Sequence, residues 1–502
     1  MTTPESADSV SRFDRILRLA FPGFLFLLVL NLLDGILRAP SWMWNEVRLA
    51  RSFSLTSGYA LYPGEHSTQP IIGTMHAPVG YLVYAGLAFL REPLIAIVAA
   101  SMLSAALCLT PLYWIHRRAE PLDSVSRRWG FLACASLVVA GPGTFYSVVN
   151  IHVDAAATCT SVLAAGLLVT GRRPLPQGTL ACSAVLAVLS VFSKQTMAPV
   201  PIALALFVLF SEGRRQFIRY VLLLIVPTAV LTTAFLLAFR PVADLVFNVW
   251  TMALRLKSVS HASARLLEGL RAERATLTVL PPLLAILLTT FLYDPGKTLR
   301  LRFQNNRWLV FLIVAMFQCP VAIRAWTTSA GDLNHLGAVN LFLILAVTTG
   351  LMLAPIPRLI QRALLSGAVV AGISLPIYLS RSIRLLASSP VETAFLYERR
   401  YPGRAYFPMD PLAVLLARGR LTHFDFALHD RERAGFPIAP QQLSAGLPAR
   451  YQLIAYPPLY DPPQSRAIAS LLASMHPVTE PGLEGWRVFA RGPAALTQPS
   501  AK

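Results

Sequence analysis

Four polar stretches break an otherwise apolar chain, and each carries groups that could do chemistry. Glu46 lies in Trp44-Asn45-Glu46-Val47-Arg48, just beyond an apolar run. Asp154 follows His152 by two residues and opens another run, and Lys194 sits in a short Ser-Lys-Gln-Thr turn. Arg324, Asp332, Asn334 and His335 crowd a fourth connection. These types suit group transfer. A carboxylate partly withdrawn from water can take the proton of an attacking hydroxyl or amine, because burial raises its pKa. A compact ammonium or a guanidinium can hold a departing phosphate and neutralise its charge. Lys194 stands out because only four of the 44 basic residues are lysine. Tyr62, with Trp42, Trp44 and Tyr59, adds an aromatic surface, and His76 closes the same loop.

Each residue also has a plainer reading. Glu46 could pair with Arg48 or Arg51, and Asp154 could cap the helix starting at Ala155. Lys194 could reach for the membrane interface. Asp332 and Asn334 could cap the helix that follows, and the aromatic residues suit an interfacial belt.

The elements that must position these groups are membrane helices. The chain has 502 residues, of which 55% are hydrophobic and only 14% charged. A soluble domain carries about a quarter charged residues. Eleven candidate spans follow from apolar runs: 20–37, 93–115, 129–148, 154–170, 178–192, 197–211, 217–239, 277–293, 307–323, 336–354 and 363–380. The net charge of +19 does not indicate a nucleic-acid partner, because many arginines lie in short turns between spans. The five cysteines have neither metal-ligand nor disulfide-framework spacing. The first apolar run shows no small-residue cleavage site and reads as a span rather than a removable leader.

The basic turns and Arg12, Arg15 and Arg18 should face the cytoplasm. That alternation holds only if residues 77–90, which are short and begin near Pro78, lie in the interface instead of crossing; a twelve-span arrangement is the alternative. The expected organisation is then a cytoplasmic N-terminus at 1–19 and a polytopic all-α membrane domain at 20–380, whose first external loop is 38–92. A small α+β extracytoplasmic domain at 381–502 completes it. All the candidate residues fall outside, on one face. In the tail, YQLIAY at 451 and WRVFA at 486 read as strands, and 411–418 and 464–474 as helices. The external segment 240–276 carries Arg255, Lys257, His261, Arg265, Arg271 and Arg274 among leucines, which suits a helix on the membrane surface touching lipid phosphate, or a solvated basic face.

NEVRLARSFSLTSGYALYP and MHAPVGYLVY resemble the first external loop of the GT-C class of integral-membrane glycosyltransferases, in its bacterial protein- and lipid A-modifying members. Asp154 matches their second-loop acid, SKQT at 193 resembles a lysine-bearing turn, and GDLNHL at 331 is similar to a late external loop. The resemblance covers roughly 20–350. It implies a sugar donor on polyprenyl phosphate, a lipid, glycan or protein acceptor at the outer face of the cell's inner membrane, and surrounding membrane lipid. Glu46 and Asp154 would be catalytic; Lys194, Arg324, His152, Asp332, His335, Tyr62 and His76 would bind substrate. No cofactor is required, and a divalent metal is the one the resemblance allows. One departure stands out: Asn45 precedes Glu46 where members often show two acids, which weakens a metal-bridging role. The rival is a transporter or lipid-carrier flippase without transfer chemistry, which would need charges near mid-membrane and repeated halves.

Overall fold

The computed structural model describes residues 4–492, except 120–122, 258, 260, 274–276, 293–296, 329–330, 354–355, 374–376 and 459. Arg274 therefore lies outside the described residues.

Long apolar helices make most of the molecule. They are α1 (Pro4–Arg38), α2 (Met43–Ser54), α3 (Val79–Ala85), α4 (Pro93–Arg118), α5 (Ser124–Ala140), α6 (Pro142–Val149), α7 (Val153–Thr170), α8 (Gln177–Ser193), α9 (Pro199–Glu212) and α10 (Arg214–Ala238). Leu280–Leu292, Leu309–Trp326, Asn334–Leu353 and Arg358–Ile373 follow. Among the described residues, 7 helices are long and apolar enough to cross a membrane, or 8 if the bent pair α5–α6 is one span. The protein is a polytopic membrane protein. Of the expected spans, 178–192 and 277–293 correspond to the shorter apolar helices Gln177–Ser193 and Leu280–Leu292. The span expected at 129–148 is broken: α5 and α6 meet at 97°. Gly141 and Pro142 explain the break, since Pro has no amide to continue α5 but suits the first turn of a new helix. Residues 77–90 contain no helix long enough to cross by itself. Their helix, α3, has 7 residues and reaches about 10 Å at 1.5 Å per residue.

Burial sorts the helices. In α7 and Asn334–Leu353, 72% of the most apolar window is buried, so they form the centre of the bundle. None of the corresponding window of α10 is buried, as suits a helix facing lipid. A second core joins the first loop to the tail: Val47, Leu49 and Phe53 of α2 share it with Phe407, Leu412 and Leu428. The tail contains the sheet β1 (Ala405–Tyr406), β2 (Leu453–Tyr456), β3 (Met475–Val478) and β4 (Arg487–Arg491), in the order β1-β2-β4-β3. β2 and β4 are the two strands expected from their alternation, and they pair antiparallel. β1 has 2 residues and β3 begins Met-His-Pro, too little pattern to read as strands. The helices expected at 411–418 and 464–474 form at Pro411–Arg418 and Arg466–Leu472.

Candidate active site

Asp154 occupies the first turn of α7, Lys194 ends α8 and Asn334 starts Asn334–Leu353. Three helices thus bring three distant residues together at the same end of the bundle. The Lys194 ammonium forms an ion pair with Asp154 Oδ1. Asn334 Nδ2 donates to Oδ2 at 2.7 Å, and His152 Nδ1 lies 2.7 Å from the same oxygen. That short contact fixes the His152 proton on Nδ1, although the Asp154 amide stands 3.2 Å from the same nitrogen. Burial keeps this imidazole neutral, with its pKa pushed down to about 3. Asp154 and Lys194 are 3% and 2% exposed, so each charge depends on the other.

Two cavities meet at this cluster. One, with about 10 Å³ of free space, is lined by Asp154, Lys194, Gln318, Asn334 and His335. The other, of about the same size, is lined by Arg48, Arg51, His76, Tyr81 and His152. The His76 and His152 rings meet edge to face at 5.2 Å. Burial, followed by the nearby His152 and Lys194, holds His76 well below the ordinary imidazole value, and its Nδ1 has no partner. Arg48 lies 5.1, 5.6 and 5.3 Å from the ring centres of Trp42, Trp44 and Tyr146, and donates to the Tyr146 hydroxyl and the Ile151 carbonyl. Aromatic faces hold a guanidinium without neutralising it.

Glu46 is absent from both cavities. It is 1% exposed, and its Oε1 accepts from the backbone N–H groups of Leu412 at 3.0 Å and Ala413 at 3.3 Å. It caps Pro411–Arg418 and is hydrogen-bonded to Asp410, so the two acids share a proton. Glu46 and Arg48 are two residues apart on α2, about 200° around the axis. When Arg48 faces the cavity, Glu46 faces the tail. The expectation that Glu46 lines the site is therefore corrected, and so is its pairing with an arginine: Arg51 Nε donates to the Ile72 carbonyl at 2.7 Å.

No family model and no curated protein matches the chain. Among solved structures, ArnT from Cupriavidus metallidurans bound to undecaprenyl phosphate is 12% identical, with a TM-score of 0.57 over 95% of this chain and 100% of that one. Its apo state gives 12% and 0.58 over the same shares. This chain has the ArnT fold. The largely helical, many-span architecture expected from the sequence is borne out at the level of the fold. The oligosaccharyltransferase AglB from Archaeoglobus fulgidus scores 0.44 at 12% identity over 86% of this chain and 69% of that one, too distant to carry weight.

Within this ArnT-like fold the other expected site residues divide. His76, His152, Lys194 and His335 line the two cavities. Arg324 is exposed, while Val321, Ala322 and Ala325 of its helix face the cavity at Asp154. Asp332 is also exposed; its Oδ1 accepts from the Leu333 amide and its carbonyl from His335, so it starts the helix. Tyr62 is buried, donates to the His76 carbonyl at 2.8 Å and packs on Phe239, which makes it a support for His76. The basic segment expected outside includes the helix Ala262–Ala272, where Arg265 lies 4.2 Å from the Trp326 ring and donates to the Gly331 carbonyl.

Asn45 was not singled out by the sequence beyond its departure from an acid pair, yet it holds the site. Its Oδ1 accepts from the Ile151 amide at 2.8 Å, and its Nδ2 donates to the Asn150 side chain and the Ala39 carbonyl, both at 2.9 Å. A carboxylate there could not donate. Asn45 thus locks the turn that delivers His152 and Asp154. Among the described residues no group of three or more His, Cys, Asp or Glu could hold a metal ion. The nearest carboxylate, Asp154, is already held by an ammonium, so the residues present do not fit a divalent cation.

Proposed function

We propose that this chain is a membrane glycosyltransferase that moves a sugar from a polyprenyl-phosphate carrier to an acceptor at the outer face of the inner membrane. The observation that carries the reading is the convergence of Lys194, His152 and Asn334 on Asp154 at the junction of two cavities. Its support from the fold is an ArnT structure that was solved with undecaprenyl phosphate.

An ionised carboxyl offers about four lone pairs. Three are engaged by Lys194, His152 and Asn334, and one is left for a proton. In the proposed step the acceptor oxygen attacks the anomeric carbon and its proton passes to Asp154. The bond from that carbon to the carrier phosphate breaks, and its electron pair leaves with the phosphate. Lys194 and Arg48 neutralise the leaving group, where water exclusion strengthens each charge contact. His152, neutral, orients Asp154, and His76 Nδ1 is left to accept a substrate hydroxyl. No step runs through a metal.

The topology that goes with this reading has 1–19 in the cytoplasm, 20–380 in the membrane with eleven spans, and 381–502 outside, which puts the Asp154 end of α7 at the outer face. The deciding experiment is transfer of a labelled sugar from polyprenyl phosphate in membranes holding the wild-type chain or Asp154→Asn. We expect transfer by the first and almost none by the second; equal rates from both would end the proposal.

A further inference from the structure

We infer that the polar cavity between the first loop and the tail binds a saccharide carrying an anionic group. That this saccharide is the sugar acceptor rests on the transfer reading above, whereas the binding does not. The cavity, of about 230 Å³, is lined by Tyr59, Gln69, Arg418, Arg420, Thr422 and Leu447, among others. It is distinct from the two cavities at Asp154, with which it shares no lining residue.

The lining defines the ligand's chemistry. Two arginines and no Asp or Glu line it, so a negative charge is favoured. Arg418 gives one nitrogen to Glu398 at 2.8 Å; Arg420 is exposed and makes no ion pair among the described residues. Thr422 also lines the cavity; it is 3% exposed, and its buried hydroxyl has no partner among the described residues. The Tyr59 oxygen accepts from the Leu421 amide at 3.1 Å and keeps its own O–H to donate. Its ring and Leu447 offer apolar surface for a sugar face. Tyr59 also borders a cavity of about 200 Å³ that runs to Phe239 and Leu245, beside the end of α10. A saccharide borne on a membrane lipid would thus have a route to the site along the bundle's edge.

The test is calorimetric titration of the full chain in detergent with galacturonate, with glucose 1-phosphate and with neutral galactose. We expect an anionic probe to bind and galactose to bind at least about tenfold more weakly. Arg420→Ala, at an exposed position, should weaken the anionic probe about tenfold or more, the loss of one charge-assisted contact. Thr422→Val should weaken it a few-fold. Galacturonate binding alone assigns the site to acidic saccharides, and glucose 1-phosphate alone to phosphate-bearing ones. Binding of neither, equal binding of galactose, or an unchanged affinity in Arg420→Ala overturns the inference. The Asp154→Asn variant should bind as wild type does. A chain that binds a probe but never transfers sugar keeps this site and loses the enzyme; one that transfers sugar and binds neither probe loses only this site.

Discussion

Asp154 and Glu46 are both buried acids beside the same first-loop helix, and their surroundings are opposite. Around Asp154 stand an ammonium, an imidazole N–H and an amide, all donors, at the wall of one cavity and next to His152 in the wall of another. Around Glu46 stand another acid and two backbone amides, within a core shared by α2 and the tail. Donors directed at an acid leave it a negative centre that a substrate can use. A second acid makes it share a proton and serve as a clamp. The difference lies in what each helix face meets, not in the residue type.

The strongest way to break this contrast is Asp154→Asn, which keeps the shape and removes the proton acceptor. Sugar transfer should fall by about 10³-fold or more, within the range of lost acid–base and charge terms. Lys194→Ala comes next. It should reduce transfer about 100-fold and destabilise the fold by about 3–5 kcal/mol, because it strands a buried carboxylate; thermal unfolding in detergent would show it. Third, Glu46→Ala should cost about 1–3 kcal/mol by leaving the Leu412 and Ala413 amides unpaired. Glu46→Gln keeps an acceptor for those amides and a donor for Asp410, so transfer should stay within a few-fold of wild type. A collapse of transfer in Glu46→Gln, with the melting temperature unchanged, would erase the contrast.

A pH series sharpens it further. Burial, and then the adjacent Asp410, raises Glu46 well above the ordinary carboxyl value of 4.5. Burial also pushes Asp410 from 3.8 to about 7. A carboxyl raised in the folded state favours the protonated form. Its stabilisation is complete below the ordinary values and is lost as pH climbs through the raised ones. Melting temperature should therefore fall by a few degrees between about pH 5 and 8, and Glu46→Gln should flatten that slope. The smallest effect belongs to Tyr62→Phe. Losing its hydrogen bond to the His76 carbonyl should cost about 1 kcal/mol and change transfer by a few-fold at most.

Much of the architecture was legible because lipid-facing helices have to be long, apolar and flanked by arginine. The gathering of His152, Asp154, Lys194 and His335 on one face followed from counting the charges between them. Glu46 was misread for a definite reason. A first-loop acid reads the same whichever way α2 is rotated, and its partner, Asp410, lies 364 residues away in a tail whose packing leaves no local pattern. Asn45 was legible only as a missing acid, since its work lies in donating as well as accepting. The break at Gly141 was written in Pro142, yet the neighbouring run was apolar enough to pass as one straight span. Strands as short as β1 carry no alternation to read.

The bend between α5 and α6 has a mechanical consequence. Thr144 Oγ1 donates back to the Val138 carbonyl of α5 and the Gly141 carbonyl at the break, and the Gly143 amide donates to Glu273 Oε1 at 2.6 Å. Straightening the elbow would strip all of these groups of their partners at once. The block that carries Tyr146 and Ser147 is therefore a rigid stop.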